Sequence, residues 1–141
     1  MLLSSLPTIA RPTPKKAAEE TAVIENSGST NTASYQIIVS SRGSASYREI
    51  GAESHVRTVA KAVTAKLFTD LSAAMPLKAL PVRHGMRSAS FGTETYITYK
   101  GQKSPDLTTP SGPLASALHE DVKAIEAAVH ALSHPRRRTR E

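Results

Sequence analysis

The stretch Tyr35-Gln36-Ile37-Ile38-Val39-Ser40-Ser41-Arg42-Gly43-Ser44-Ala45-Ser46-Tyr47-Arg48-Glu49 decides how this chain folds. Ser34 to Ser40 is β-rich and roughly alternating, and Ser44 to Glu49 is a second such run, so the pair reads as a hairpin. Its register depends on the turn. A two-residue Arg42-Gly43 loop would put Tyr35, Ile37 and Val39 on one face with Ser46, Arg48 and Ile50. A three-residue Ser41-Arg42-Gly43 loop puts them with Ala45, Tyr47 and Glu49 instead. The second choice pairs Ile37 with Tyr47 and Val39 with Ala45. It also places Gly43 where a left-handed residue is needed. The three-residue turn is therefore the expectation.

Upstream, Thr21-Ala22-Val23-Ile24-Glu25 is a short β-branched run that reads as the first strand, and residues 26–33 form a polar loop rich in turn formers. Downstream, residues 55–74 switch period. Val56, Val59, Ala60, Val63, Leu67, Leu71 and Ala74 recur at helical spacing, with Arg57, Lys61 and Lys66 largely off that stripe. Ser54 suits the N-cap, and Pro76 ends the helix. Leu77 to Gly85 is a connector containing Pro81. Met86 to Phe91 and Glu94 to Lys100 read as a second strand pair turning at Gly92-Thr93, with Thr95, Ile97 and Tyr99 sharing a face. Gly101-Gln102 offers a tight turn, after which Lys103 to Leu107 reads as a short strand that Pro105 confines to the edge. Pro113 suits the first turn of a last helix capped by Ser111 or Gly112. Its stripe is Leu114, Leu118, Val122, Ile125, Val129 and Leu132, and Pro135 stops it. The expected fold class is α+β, with two helices packed on one face of a mostly antiparallel sheet of about five strands.

The chain has 141 residues, 39% of them apolar, with 4% aromatics and no Trp, so the core rests on aliphatic packing. There is no Cys, which excludes a disulfide scaffold, a thiolate metal site and a cysteine nucleophile. No apolar run approaches the ~18 residues of a membrane span. The formal charge is +6, but much of it sits outside the folded part. Arg136, Arg137, Arg138 and Arg140 follow Pro135, and Arg11, Lys15 and Lys16 lie in a Pro-rich stretch near the N-terminus. Between Ala22 and His134 there are 11 basic and 9 acidic residues. Three segments follow: an N-terminal segment 1–21, disordered or the remnant of an export signal; a single domain 22–134; and a basic disordered tail 135–141. The tail has no interleaved aromatics to stack bases, which argues against nucleic acid as the partner. Residues 1–10 are apolar and rich in small side chains, but short for a signal peptide and without a basic n-region.

The sharpest local motif is Arg83-His84-Gly85-Met86-Arg87. It resembles the Arg-His-Gly-x-Arg signature of the histidine phosphatase family. The resemblance implies His84 as a phosphorylated nucleophile and Arg83 and Arg87 as phosphate ligands, whose guanidinium forks match phosphate oxygens. In that family the motif follows the first strand of a larger α/β domain. Here it follows a helix and a Pro-containing connector. Of the five histidines, His130 and His134 stand four apart at the end of a helix, a spacing that can chelate a metal, with Glu126 the one carboxylate on that face. The plainer reading is that they complement the helix dipole. Glu120 and Asp121 are adjacent on the helix and are expected to be solvated. Asp106, near Thr108, is expected to make an Asx-type turn. No nucleophile elbow and no Gly-rich phosphate loop is present.

Three segments together resemble a known group. They are residues 24–31, with the hairpin that ends near Tyr47; residues 84–92; and Tyr99-Lys100-Gly101-Gln102-Lys103-Ser104-Pro105-Asp106-Leu107. The resemblance is to small exported bacterial proteins of unknown function and spans roughly residues 22–132. It implies a periplasmic or secreted location, and it is consistent with hairpin turns at Gly43 and Gly101. It carries no catalytic residues. The expectation is a noncatalytic domain, with no cofactor and no metal, that binds an unknown protein or envelope partner through its sheet face or loops. The alternatives are a phosphohydrolase or phosphate-binding protein using Arg83, His84 and Arg87, and a cytoplasmic location.

Overall fold

The computed structural model describes residues 19–30, 33–81 and 93–133, with side chains through residue 130. Its chain order is β1 (Thr21–Asn26), β2 (Tyr35–Ser40), β3 (Ser44–Glu49), β4 (His55–Thr58), α1 (Lys61–Ala74), a 3-10 turn (Leu77–Ala79), β5 (Thr95–Tyr99), β6 (Gln102–Lys103) and α2 (Gly112–Ser133). Among the described residues, six strands form one sheet in the order β4-β3-β2-β1-β5-β6. Every pairing is antiparallel. The fold is α+β, with both helices on one face of the sheet; there are six strands rather than about five. No helix among the described residues is long and apolar enough to cross a membrane.

The β2–β3 register is the one the three-residue turn demands. Ile37 lies opposite Tyr47 and Val39 opposite Ala45. Gly43 has φ +94, and the Val59 N–H donates to its carbonyl at 2.8 Å. The same phase runs across the sheet. Ile24 sits between Ile37 and Ile97, and Ala22 between Val39 and Tyr99. These rows are buried. Leu67, Phe68 and Leu71 of α1 and Leu118, Val122, Ile125 and Val129 of α2 close over them to form one core. Among the described residues, the opposite face, with Val23, Ile38, Ser46 and Val56, carries no helix.

Three local expectations need correction. His55–Thr58 is a strand paired with β3, not the first turn of a helix capped by Ser54. Val56 and Val59 are three apart, which fits helical spacing, but Val56 is 69% exposed and only Val59 reaches the core. The helix begins after Ala60 and has no side-chain cap. The second correction concerns the edge after β5. The turn is Lys100-Gly101, with φ of 48 and 74, rather than Gly101-Gln102. Positive φ at both central residues is the pattern of a two-residue primed turn. The strand expected over Lys103 to Leu107 stops at Lys103, although the Ser104 N–H still donates to the Ile97 carbonyl and the Leu107 N–H to the Thr95 carbonyl, both at 2.8 Å. Side chains replace only the acceptors for the β5 amides: the Ile97 N–H donates to Ser104 Oγ at 3.0 Å and the Thr95 N–H to Asp106 Oδ1 at 3.0 Å. Asp106 also accepts from the Thr108 N–H at 3.0 Å, the expected Asx-type turn.

The third correction is Asp121, which is 3% exposed rather than solvated. It lies three residues after Leu118 and four before Ile125, inside the buried stripe. Lys66 of α1 donates to Asp121 Oδ1 and to Asp70 Oδ2, both at 2.8 Å, and so ties the two helices together. The other Asp121 oxygen is buried with no hydrogen-bond partner. A proton on Asp121, donated toward Asp70, removes that deficit. Burial, and then the hydrogen bond with Asp70, push the Asp121 carboxyl up to about 6 against the pull of Lys66. The bond from Asp121, then the one from Lys66, hold Asp70 below the ordinary range. In the last helix Leu114 is exposed and Ala115 takes the core position. The side chain of Leu132 lies outside the described residues.

Two predictions follow from this packing. A Cβ at Gly43 would meet the Val59 carbonyl oxygen at 3.0 Å, whereas one at Gly101 would meet nothing within 4 Å. Gly43→Ala therefore costs the ~1–2 kcal/mol of a left-handed alanine plus that collision, and Gly101→Ala only the first part. Urea unfolding of both variants checks the order. The second concerns pH. Between 3.8 and about 6 the folded chain keeps the Asp121 proton that the unfolded chain has lost, so stability falls as pH rises through that window. Asp121→Asn flattens this slope, measured as the unfolding midpoint across that pH range.

Candidate functional site

The sheet rows end in polar side chains on the helix-covered face. Asn26 closes β1, Tyr35 opens β2, Tyr47 and Glu49 lie at the far end of β3, and Thr95 opens β5. Strand pairing brings them side by side: Asn26 lies between Tyr35 and Thr95, and Tyr35 lies opposite Glu49. Above them runs one stripe of α2: His119, Val122, Lys123, Glu126 and His130. These spacings of three and four put all five on one side of a helix. Between stripe and sheet end lies an open cleft of about 520 Å³.

The walls of the cleft are fixed by hydrogen bonds. The Tyr35 hydroxyl donates to Glu126 Oε1, tying β2 to α2. The Tyr47 hydroxyl donates to Glu49 Oε1 at 2.9 Å. Tyr35 and Tyr47 pack at 5.4 Å between centroids, and the His130 ring stands edge-on to them at 6.2 and 5.3 Å. The Asn26 amide donates to Thr95 Oγ1 at 3.0 Å and its oxygen accepts from the Gly28 N–H at 2.8 Å. Burial, then the Glu126 carboxylate, hold the Tyr35 phenol far above its ordinary range. Burial, then Glu49, push Tyr47 up to about 12. Both phenols are thus neutral donors committed to carboxylates, and neither supplies a phenolate at ordinary pH. Each carboxylate retains lone pairs toward the cleft. The side chains of His119 and Lys123 make no hydrogen bond among the described residues and add donors on the helix side.

A second hollow, of about 490 Å³, lies on the uncovered face and is lined by Glu25, Gln36, Arg48, Ile50, Tyr96 and Lys103. Two of its charges are already engaged with neighbours, since Lys103 Nζ sits 4.4 Å over the Tyr96 ring and 4.0 Å from Glu25.

Arg83, His84 and Arg87 lie outside the described residues, as does His134. His130 belongs to the aromatic cluster, and among the described residues no group of three or more metal-ligating side chains comes together. The sequence reading placed Tyr35 and Tyr47 on one face and noted Glu126 four residues before His130. It did not join the two sets, because their meeting depends on how α2 crosses the sheet. No protein-family model, curated protein or solved structure matches this chain.

The phenol–carboxylate bond carries a spectroscopic consequence. Glu126→Gln keeps an acceptor for Tyr35 but removes the charge, so Tyr35 ionises at lower pH than in the parent chain. Following phenolate absorbance against pH in both proteins tests this, and superimposed curves would contradict it.

Proposed function

We propose that this chain is a noncatalytic binding domain whose ligand site is the cleft between α2 and the polar end of the sheet. The observation that carries the reading is the pinned pair Tyr35–Glu126 and Tyr47–Glu49. It gives a rigid aromatic wall with acceptors already oriented. Rigid walls reduce the ordering cost of binding. Few, fixed polar groups around a concave surface are the usual make-up of a small-molecule site. The ligand that fits is small and polar. Its hydroxyl or amine donors meet Glu49 and Glu126, and its acceptors meet His119 and Lys123. The neutral, committed phenols favour binding over nucleophilic chemistry. The resemblance to small exported bacterial proteins supports a place of action in the envelope or outside the cell.

The test is an amide NMR titration with four probes: a neutral hexose, a uronic acid, glutamate and inorganic phosphate. The expected result is saturable shifts at His119, Lys123, Glu126 and His130 with at least one organic probe, lost in Tyr47→Ala. Shifts confined to residues 83–87 with phosphate alone would favour the phosphate-binding alternative instead.

A further inference from the structure

We propose that the β4 edge is a self-complementary interface through which two copies of this chain join their sheets. Among the described residues β4 is the outermost strand on its side, and its far edge pairs with no other strand. The hydrogen-bond phase can be worked out. The Ile50 N–H donates to the Ser34 carbonyl, so the even-numbered residues of β3 serve β2. The Val59 N–H donates to the Gly43 carbonyl, so the odd-numbered residues of β4 turn inward to β3. Val56 and Thr58 therefore point their backbone N–H and C=O groups outward, away from the sheet, and the same phase continued one step before the strand assigns Ser54 to that edge.

Outward-pointing groups restrict how a second β4 can pair antiparallel to the first. Three central registers satisfy the ladder; the one with Val56 opposite Thr58 sets Arg57 against Arg57 and is disfavoured by like charge, which leaves two. One sets Val56 opposite Val56 of the second copy, and then His55 faces Arg57. The other sets Ser54 opposite Val56, and then Glu53 faces Arg57 twice, once on each side of the two-fold axis. The second register is the one with complementary charge. Two observations support it. Arg57 Nε is buried with no hydrogen-bond partner. Glu53 is exposed and has no ion pair among the described residues. In the joined sheet the carboxylate of Glu53 faces a guanidinium whose own chain, among the described residues, engages it through Nη1, which donates to the Val56 carbonyl at 3.3 Å.

The uncovered face gives the same interface an apolar component. Val56 is 69% exposed, and Ile38, two strands in, is 43% exposed. They share a row through Ser46, which lies opposite both. In the favoured register the two copies of Val56 are diagonal neighbours across the new seam, so each covers part of the other. Unpaired edges with β-branched residues invite this addition, and a two-fold interface uses one patch on both subunits.

Sedimentation velocity of the full chain across a concentration series tests the proposal. The expected result is a monomer–dimer equilibrium. Val56→Pro weakens it at least about tenfold, because proline removes the outward N–H while sparing the ladder to β3. Glu53→Arg and Arg57→Glu each weaken it, and the double variant restores it. Circular dichroism confirms folding of each variant, and Val56→Pro with Glu53→Arg suffices if Arg57→Glu does not fold. A monomer at every concentration would overturn the proposal. So would a dimer indifferent to Val56→Pro, or a double variant no better than the single ones.

Discussion

The position of one left-handed residue, Gly43, sets the phase of the whole sheet. A three-residue turn ending at Gly43 puts the odd-numbered residues of β2 and β3 on the same face. A two-residue turn would put Ser46 and Arg48 there instead, and a core cannot absorb that exchange. Once the hairpin is in phase, β1 inherits it through Ile24–Ile37, and β5 through Ile24–Ile97. The same choice carries Tyr35 and Tyr47 to the helix side, where Glu126 and His130 meet them. It also leaves Ile38 and Val56 on the opposite side, which carries no helix among the described residues. Core, cleft and uncovered face are three consequences of one turn.

Much of this was legible in residue order. The hairpin register follows from counting which apolar set each loop length brings together. The Thr95-Ile97-Tyr99 face follows from alternation, and the end of α1 from Pro76. The readings that failed did so where two periods coincide or where side chains replace backbone. Val56 and Val59 satisfy a helical spacing, yet β-branched Val56, Thr58 and Val59 also suit a strand. The sheet's need for a partner beside β3 decides between them. Past Lys103, alternation says strand, but the β5 amides there do not meet backbone carbonyls. Ser104 and Asp106 then serve the β5 amides with side-chain oxygens, which no propensity describes.

The polar sites were less legible, for a related reason. Asp121 falls at a core position of the α2 stripe by spacing alone, and only its charge argued for solvent. Lys66, on a different helix, makes its burial tolerable, and a partner 55 residues away leaves no local trace. The cleft is similar. The polar stripe His119, Lys123, Glu126 and His130 is visible at helical spacing beside the apolar one. That two tyrosines stand beneath it depends on the angle at which α2 crosses the sheet.

The hairpin register is therefore the claim to test first. Because the even-numbered residues of β3 bond to β2, Ile37 and Tyr47 form a non-hydrogen-bonded pair, whose Cα atoms lie closest. The measurement is the pattern of Hα–Hα nuclear Overhauser effects across the hairpin. Strong effects between Ile37 and Tyr47 and between Val39 and Ala45 are the predicted result. Effects linking Ile37 to Arg48 and Val39 to Ser46 would mean a two-residue turn. That result would contradict the account of the core, the cleft and the uncovered face together.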